Sequence, residues 1–199
     1  MDLADTNINP KFIELFKEIF GFNNKEFDKF LSCFYLKYLS KKDYFLQAGE
    51  ISRAKAYLNK GCARNFVIDE HGHEKIMSFA FEDWWLADFE SYYNGTKGTH
   101  YIQMLEDSEL FIISKESFQK MEDEIPKLKQ WYTYKMTRSV GAVRKRIEDM
   151  KTLTPEERYL KLIKKQPQIF QRVPLQYIAS YLNIEPQSLS RIRKRLTKK

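Results

Sequence analysis

The chain has 199 residues, with 34 Lys and Arg against 27 Asp and Glu, a formal net charge of +7 and 43% hydrophobic residues. That hydrophobic share excludes a disordered chain, and the length admits one domain or two small ones. No apolar run is long enough to span a membrane, and MDLADTNINP at the start has neither a basic n-region nor an apolar h-region, so a cytoplasmic protein is expected.

The charge is uneven. Residues 151–199 hold 12 basic and 3 acidic residues, +9, while the rest holds 22 basic and 24 acidic, −2. A basic segment on a slightly acidic body predicts a polyanion bound by that segment. A membrane surface would attract it too, but the basic helical patterns lack the broad Trp/Phe/Leu face that interfacial anchoring needs. Cys33 and Cys62 are the only cysteines, expected as isolated reduced thiols and too few for an iron–sulfur cluster.

In chain order, Phe12, Leu15, Phe16, Ile19 and Phe20 recur at helical spacing up to Gly21, and Phe27, Phe30, Leu31 and Phe34 continue as a second apolar set. From about Tyr35 to Ser114 the pattern changes to short runs rich in aromatic and β-branched residues, punctuated by Gly49, Gly61, Gly72, Gly95 and Gly98. The expected strands are Tyr44–Leu46, Ala56–Leu58, Phe66–Ile68, Lys75–Ala80, Tyr101–Met104 and Leu110–Ile113, with Glu70-His71-Gly72-His73 as a hairpin turn. Composition alone gives a sandwich or barrel. His71 and His73 lack the ligand spacing of a jelly-roll metal site, since Lys75 to Ser78 follow Glu74. With no P-loop, dinucleotide fingerprint or nucleophile elbow either, neither an enzyme nor a bound cofactor or metal is expected.

Helical spacing returns at Lys115–Met121 and over Ile125–Met150, where Leu128, Tyr132, Met136, Ser139, Val143 and Met150 trace an approximate heptad seam. So long a helix exceeds the core of one small domain, which leaves a seam for a further contact; the alternative is a helix lying on its own β-domain. Thr154-Pro155-Glu156-Glu157 is a helix start, with Thr as N-cap and Glu three residues on, so Lys151–Leu153 is the expected hinge. Leu160 and Ile163 are the expected packing face of that helix, and Pro167 stops it.

Two matched patterns close the chain. Leu175, Ile178 and Leu182 form an apolar stripe, with small Ala179 where a second helix can cross. Asn183 suits a left-handed helix end and Pro186 a helix start. Leu189, Ile192 and Leu196 then repeat the stripe, leaving Gln187, Ser190, Arg191 and Lys194 on the opposite face. Arg suits guanine, Gln suits adenine and Ser either, so this face predicts base contact in a DNA major groove. The competing reading is a solvated charged face on a non-DNA module whose basic tail contacts another protein.

Ala179, Leu182, the turn, and Gln187 followed by Leu189-Ser190-Arg191 resemble the reading head of the Crp/Fnr transcription regulators. The resemblance covers nearly the whole chain: DYFLQAGE at Asp43–Glu50, the turn from Gly61 to Arg64 and the Gly72 hairpin resemble the jelly roll of a cyclic-nucleotide-binding domain. It implies an α+β fold with N-terminal helices and a jelly-roll effector domain over 1–124, a dimerisation helix over 125–150 and a helix-turn-helix domain over 151–199. Implied partners are double-stranded DNA, a second copy of the chain and, as a further candidate, RNA polymerase. Gln187, Ser190 and Arg191 would read bases, and Ser188, Arg193, Lys194 and Arg195 would contact phosphates.

This chain also departs from the family pattern. Gln187 stands where Glu is usual, and only Thr197-Lys198-Lys199 follow Leu196 where the family has a β-hairpin wing. In the cassette that binds cyclic nucleotide, WWLADFESYYNGTKGTHYIQML puts Ala87 and Asp88 at the Gly-Glu positions and Gly98 and Thr99 at the Arg-Ser positions. Val143 and Arg144 fall where responsive members carry a base-contacting Thr-Ser. The candidate effector residues are therefore Asp88, Phe89, Glu90, Gly98 and Thr99. With no cassette Arg, the expected effector is not cyclic AMP, and its identity stays open.

Overall fold

The computed structural model describes residues 7–196, so Thr197-Lys198-Lys199, and with them the expectation of a missing wing, lie outside the described residues. The chain forms two compact units, each described by itself. One comprises residues up to Asn65 together with Phe79–Lys135; the other comprises Phe66–Ser78 together with residues from Met136 onward. The sequence places boundaries at 124/125 and 150/151 instead. The long helix contributes to both units, and a hairpin from the β-domain groups with the C-terminal half, because each packs by side chains that lie far apart in sequence.

The first unit opens with α1 (Pro10–Ile13), which runs into a π-helical stretch at Glu14–Ile19. The Asn9 side chain accepts from Lys11 N at 3.0 Å, and Pro10 fills the first turn, where no N–H is needed. In α2 (Asn24–Leu31) Asn23 and Glu26 make a reciprocal capping box. The apolar faces of both helices, Phe12, Phe16, Phe27 and Phe30, are buried as their spacing predicts.

The strands are β1 (Tyr35–Leu39), β2 (Tyr44–Leu46), β3 (Ala54–Lys60), β4 (Ala63–Ile68), β5 (Glu74–Ala80) and β6 (Trp85–Leu86), then α3 (Phe89–Asn94), β7 (Tyr101–Met104) and β8 (Ser108–Ser114). They form two antiparallel-type layers of a jelly roll, in the orders β1-β8-β3-β6 and β2-β7-β4-β5. Strand β3 is covered on both faces. Its even-numbered Ala56 and Leu58 join Leu110 and Ile112 between the sheets, while Tyr57 joins Phe111, Phe12 and Trp131 in an aromatic core beneath the helices. Lys55 and Asn59 fall on the Tyr57 side and are nearly inaccessible. Two-residue β6 and short α3 carry too little pattern to read from sequence.

After β8 come α4 (Lys115–Glu124), α5 (Lys127–Thr152), α6 (Pro155–Lys165), α7 (Ile169–Arg172), α8 (Leu175–Leu182) and α9 (Pro186–Leu196). Thr154 and Glu157 form the predicted capping box of α6. Its buried face is Tyr159 and Leu162, not Leu160 and Ile163; Leu160 is exposed. The Tyr159 ring meets Phe170 of α7 at 5.1 Å, edge to face, which turns the helix by about one residue from the aliphatic stripe.

Candidate nucleic-acid interface and effector region

Helix α8 ends at Asn183, whose φ of 53° and ψ of 52° are the left-handed values the sequence suggests, and the Ile184 N–H returns to the Ala179 carbonyl at 3.0 Å. Pro186 then starts α9, and both α6 and α9 pack on α8. Leu189 and Ile192 of α9 and Ile178, Ala179 and Leu182 of α8 are buried; Leu196 is half-buried. Burying that stripe fixes the opposite face outward, and Gln187, Ser188, Ser190, Arg191, Lys194 and Arg195 are all exposed. Arg193 is half-buried. Among these candidates, Ser190 Oγ donates to the Pro186 carbonyl at 3.1 Å, and the Arg195 guanidinium pairs with Glu156 of α6.

On α5 the first turns belong to the first unit. Leu128 is fully buried in its aromatic core, and Tyr132 packs against Phe118 and Tyr93. Further along, Val140, Val143 and Ile147 are 68%, 57% and 51% exposed, with half-buried Met136 and Met150 at either end. The steps 136, 140, 143, 147 and 150 alternate by four and three, a true heptad seam. Met136, Val143 and Met150 of the six seam residues expected from sequence share this spacing, with Val140 and Ile147 between them. Ser139 is exposed beside this stripe.

Arg146 faces away from this stripe. Its guanidinium donates to the carbonyls of Tyr181, at 2.9 Å, Ile76, at 3.2 Å, and Met77, and stacks 4.0 Å from the Tyr181 ring. Ser180 Oγ accepts from Ile76 N at 3.1 Å, so α8 and Arg146 together cover backbone groups of β5 within the second unit. Burial holds the Arg146 pKa below its ordinary value, although a guanidinium stays charged at any physiological pH. No local pattern marks this role; it comes from pairing residues about 70 positions apart.

The cassette region lies in the first unit. Asp88 is the N-cap of α3, its Oδ1 accepting from Ser91 N at 3.1 Å, and it is buried. The Gly98 N–H donates to the Glu50 carbonyl, and the Gly98 carbonyl accepts from Gly49 N, both at 2.9 Å. A Cβ added at Gly98 would stand 2.3 Å from Asp88 Oδ2. The acidic carboxylate therefore lies against the position where the family pattern has Arg. Phe89 is half-buried, Glu90 and Thr99 are exposed, and neither Glu90 nor Thr99 is drawn into the Asp88 contact. Elsewhere on this unit a cleft of about 480 Å³ opens between the edges of β1 and β2, lined by Tyr35, Lys37, Phe45, Leu46, Glu50 and Arg53 among others.

No family model and no curated protein sequence matches the chain. Solved structures do. CLP, the c-di-GMP responsive global regulator of Xanthomonas campestris, is 13% identical over 88% of this chain and 92% of its own, with a TM-score of 0.71. FixK2 from Bradyrhizobium japonicum is 11% identical over 83% of this chain and 85% of its own, TM-score 0.72. A protein described as a Crp/Fnr-family transcriptional regulator, from Eubacterium rectale, is 13% identical over 88% and 84%, TM-score 0.68. The chain has the Crp/Fnr-type fold. At these identities the likeness is one of backbone: a jelly roll, a long helix and C-terminal helices in the same order. Among the described residues, no helix of this Crp/Fnr-type fold is long and apolar enough to cross a membrane.

Proposed function

We propose that this chain is a sequence-specific, dimeric DNA-binding transcription regulator that is not an enzyme and does not respond to cyclic AMP. The observation that carries this reading is α9, anchored on α8 through Leu189 and Ile192 while its Gln187, Ser188, Arg191 and Lys194 stand outward. A packed helix with a polar and basic face turned outward is the arrangement that major-groove reading uses. In this proposal Arg191, Gln187 and Ser190 contact bases, and Ser188, Arg193, Lys194 and Arg195 lie near phosphates. Arg195 would exchange its Glu156 partner for phosphate at some cost. Solved relatives with this fold are described as regulators, which supports the class.

The dimer is proposed on the Met136–Met150 stripe. Exposed valines and an isoleucine at heptad spacing are what a parallel two-stranded contact buries. The proposed indifference to cyclic AMP rests on Asp88 and Gly98: an anionic cyclic phosphate would meet a buried carboxylate and no guanidinium. One missing charged hydrogen bond costs roughly 1.5–3 kcal/mol before repulsion.

Selection of operators from random duplex DNA, followed by gel-shift titration across salt, tests the reading. A selected consensus, with affinity falling steeply as salt rises, is the expected result. No enrichment and no salt dependence would favour a protein-binding tail instead. Calorimetric titration of cyclic AMP, cyclic GMP and cyclic di-GMP tests the ligand half, with submillimolar cyclic AMP binding as the overturning result.

A further inference from the structure

Lys55 is 1% exposed, and among the described residues no carboxylate forms an ion pair with it. Its Nζ donates to Tyr93 Oη at 2.9 Å. Four ring faces enclose the same nitrogen: Phe118 at 3.7 Å, Tyr132 at 4.2 Å, Tyr92 at 4.6 Å and Tyr93 at 5.3 Å from the ring centroids. The rings come from three helices, with Tyr92 and Tyr93 on α3, Phe118 on α4 and Tyr132 on α5. Tyr93 is in turn hydrogen-bonded to Tyr132. One amine thus joins the helix capped by Asp88 to the first turns of the long helix. We propose that Lys55 and its ring box are a pH-responsive joint between α3 and α5, tight when the amine is neutral and loosened when it gains a proton.

An aliphatic ammonium has three donors, and one hydroxyl accepts from it here; the rest of its hydration shell is replaced by ring faces. Ring quadrupoles favour the cation, but they return only part of what desolvation removes. Other titratable groups face the box from each packed element. From α4, half-buried Glu122 is the carboxylate whose field favours the cation, and burial raises its own pKa; Lys129 of α5 acts on Glu122 in turn. Also from α4, Lys115 donates to the Tyr92 carbonyl at 2.6 Å and lies 5.4 Å from the Tyr92 ring, a like charge, while Glu116 bears on Tyr92. Burial holds the phenols of Tyr92, Tyr93 and Tyr132 above their ordinary range, so they stay neutral. Lys55 is therefore the group that changes charge near neutrality, burial bringing its pKa down to about 7 from 10.5.

The sign follows from linkage. The unfolded chain keeps the lysine proton up to its ordinary pKa, while the folded chain releases it near 7, so unfolding takes up a proton between those values. This group's contribution to stability rises with pH across that window, by at most about tenfold in the unfolding constant per pH unit, and is lowest below it. The joint stands whether or not the chain binds DNA, so its test uses the free protein.

The ¹³Cε–¹Hε resonances of selectively labelled lysines should include one, absent from Lys55→Met, that titrates near pH 7. After correction for the base-catalysed intrinsic rate, amide protection in α3 and in the first turns of α5 should be lower at pH 6 than at pH 8. Lys55→Met, which fits the box without a charge, should abolish that pH dependence and raise Tm at pH 6. Tyr93→Phe should keep the box but shift the Lys55 titration. If every lysine in the unaltered protein titrates above pH 9, or Lys55→Met retains the same pH-dependent change in amide protection, the proposal fails. The resonance measurement needs no folded variant to count against it.

Discussion

Arg191, proposed to read a base, contributes little to the fold. It is exposed, and its helix is held by Leu189 and Ile192 on the other side. Arg191→Ala should leave Tm nearly unchanged and remove about 1–3 kcal/mol of discrimination at one base pair, visible as a collapse of operator affinity toward that of random DNA. Gly98 is the opposite case. Any side chain there meets the Asp88 carboxylate that caps α3, so Gly98→Ala should lose the cap as well as space, about 1–2 kcal/mol read from the urea midpoint. For the same reason Gly98→Arg is not a simple graft of a phosphate site; Asp88→Ser would have to accompany it.

Among elements, α5 divides its labour along its length. Its first turns are locked by Leu128 and Trp131, its middle presents Val140, Val143 and Ile147, and Arg146 turns back to β5. A charge placed in the exposed stripe should split the proposed dimer, because a desolvated unpaired carboxylate costs several kcal/mol. Val143→Asp is therefore expected to give a monomer in analytical ultracentrifugation and a larger loss of DNA affinity than Lys194→Ala. Lys194→Ala should weaken all sequences alike and lower the salt slope by about one. Equal losses at matched protein concentration would argue against a dimer-dependent reader.

For the molecule as a whole, the basic charge is concentrated beyond residue 150 and the remainder is slightly acidic. Long-range attraction to a polyanion should then be carried by the C-terminal segment, with the acidic remainder limiting nonspecific adhesion. If folding and association through the stripe are coupled, thermal unfolding should move to higher temperature with protein concentration in the native chain, and that dependence should vanish in Val143→Asp. Scanning calorimetry over a hundredfold range of concentration reads both.

Fold class and the order of the parts are legible in the amino-acid sequence, because those rest on local chemistry. Phenylalanines at helical spacing made α1 and α2, Thr154 and Glu157 fixed the start of α6, and Asn183 with Pro186 fixed the turn between α8 and α9. The outward set on α9 was legible as well, since burying Leu189 and Ile192 leaves one way for Arg191 to face. Tertiary structure alone decided the rest. Whether Leu128 or Val140 is free depends on what packs against α5, and a heptad pattern does not record which of its turns a neighbouring core consumes. Tyr159 displaced Leu160 from the inner face of α6 because Phe170 was there to meet it. Nothing adjacent to Arg146 in the sequence marks its role, because its acceptors come from β5 and from Tyr181. Lys55 sat unremarked in a strand: period two says that it shares a face with Tyr57, but its partners on α3, α4 and α5 lie 37 to 77 residues away. Local propensities act over a few residues and are written in neighbouring letters, whereas the environment of a buried charge is assembled by the whole fold.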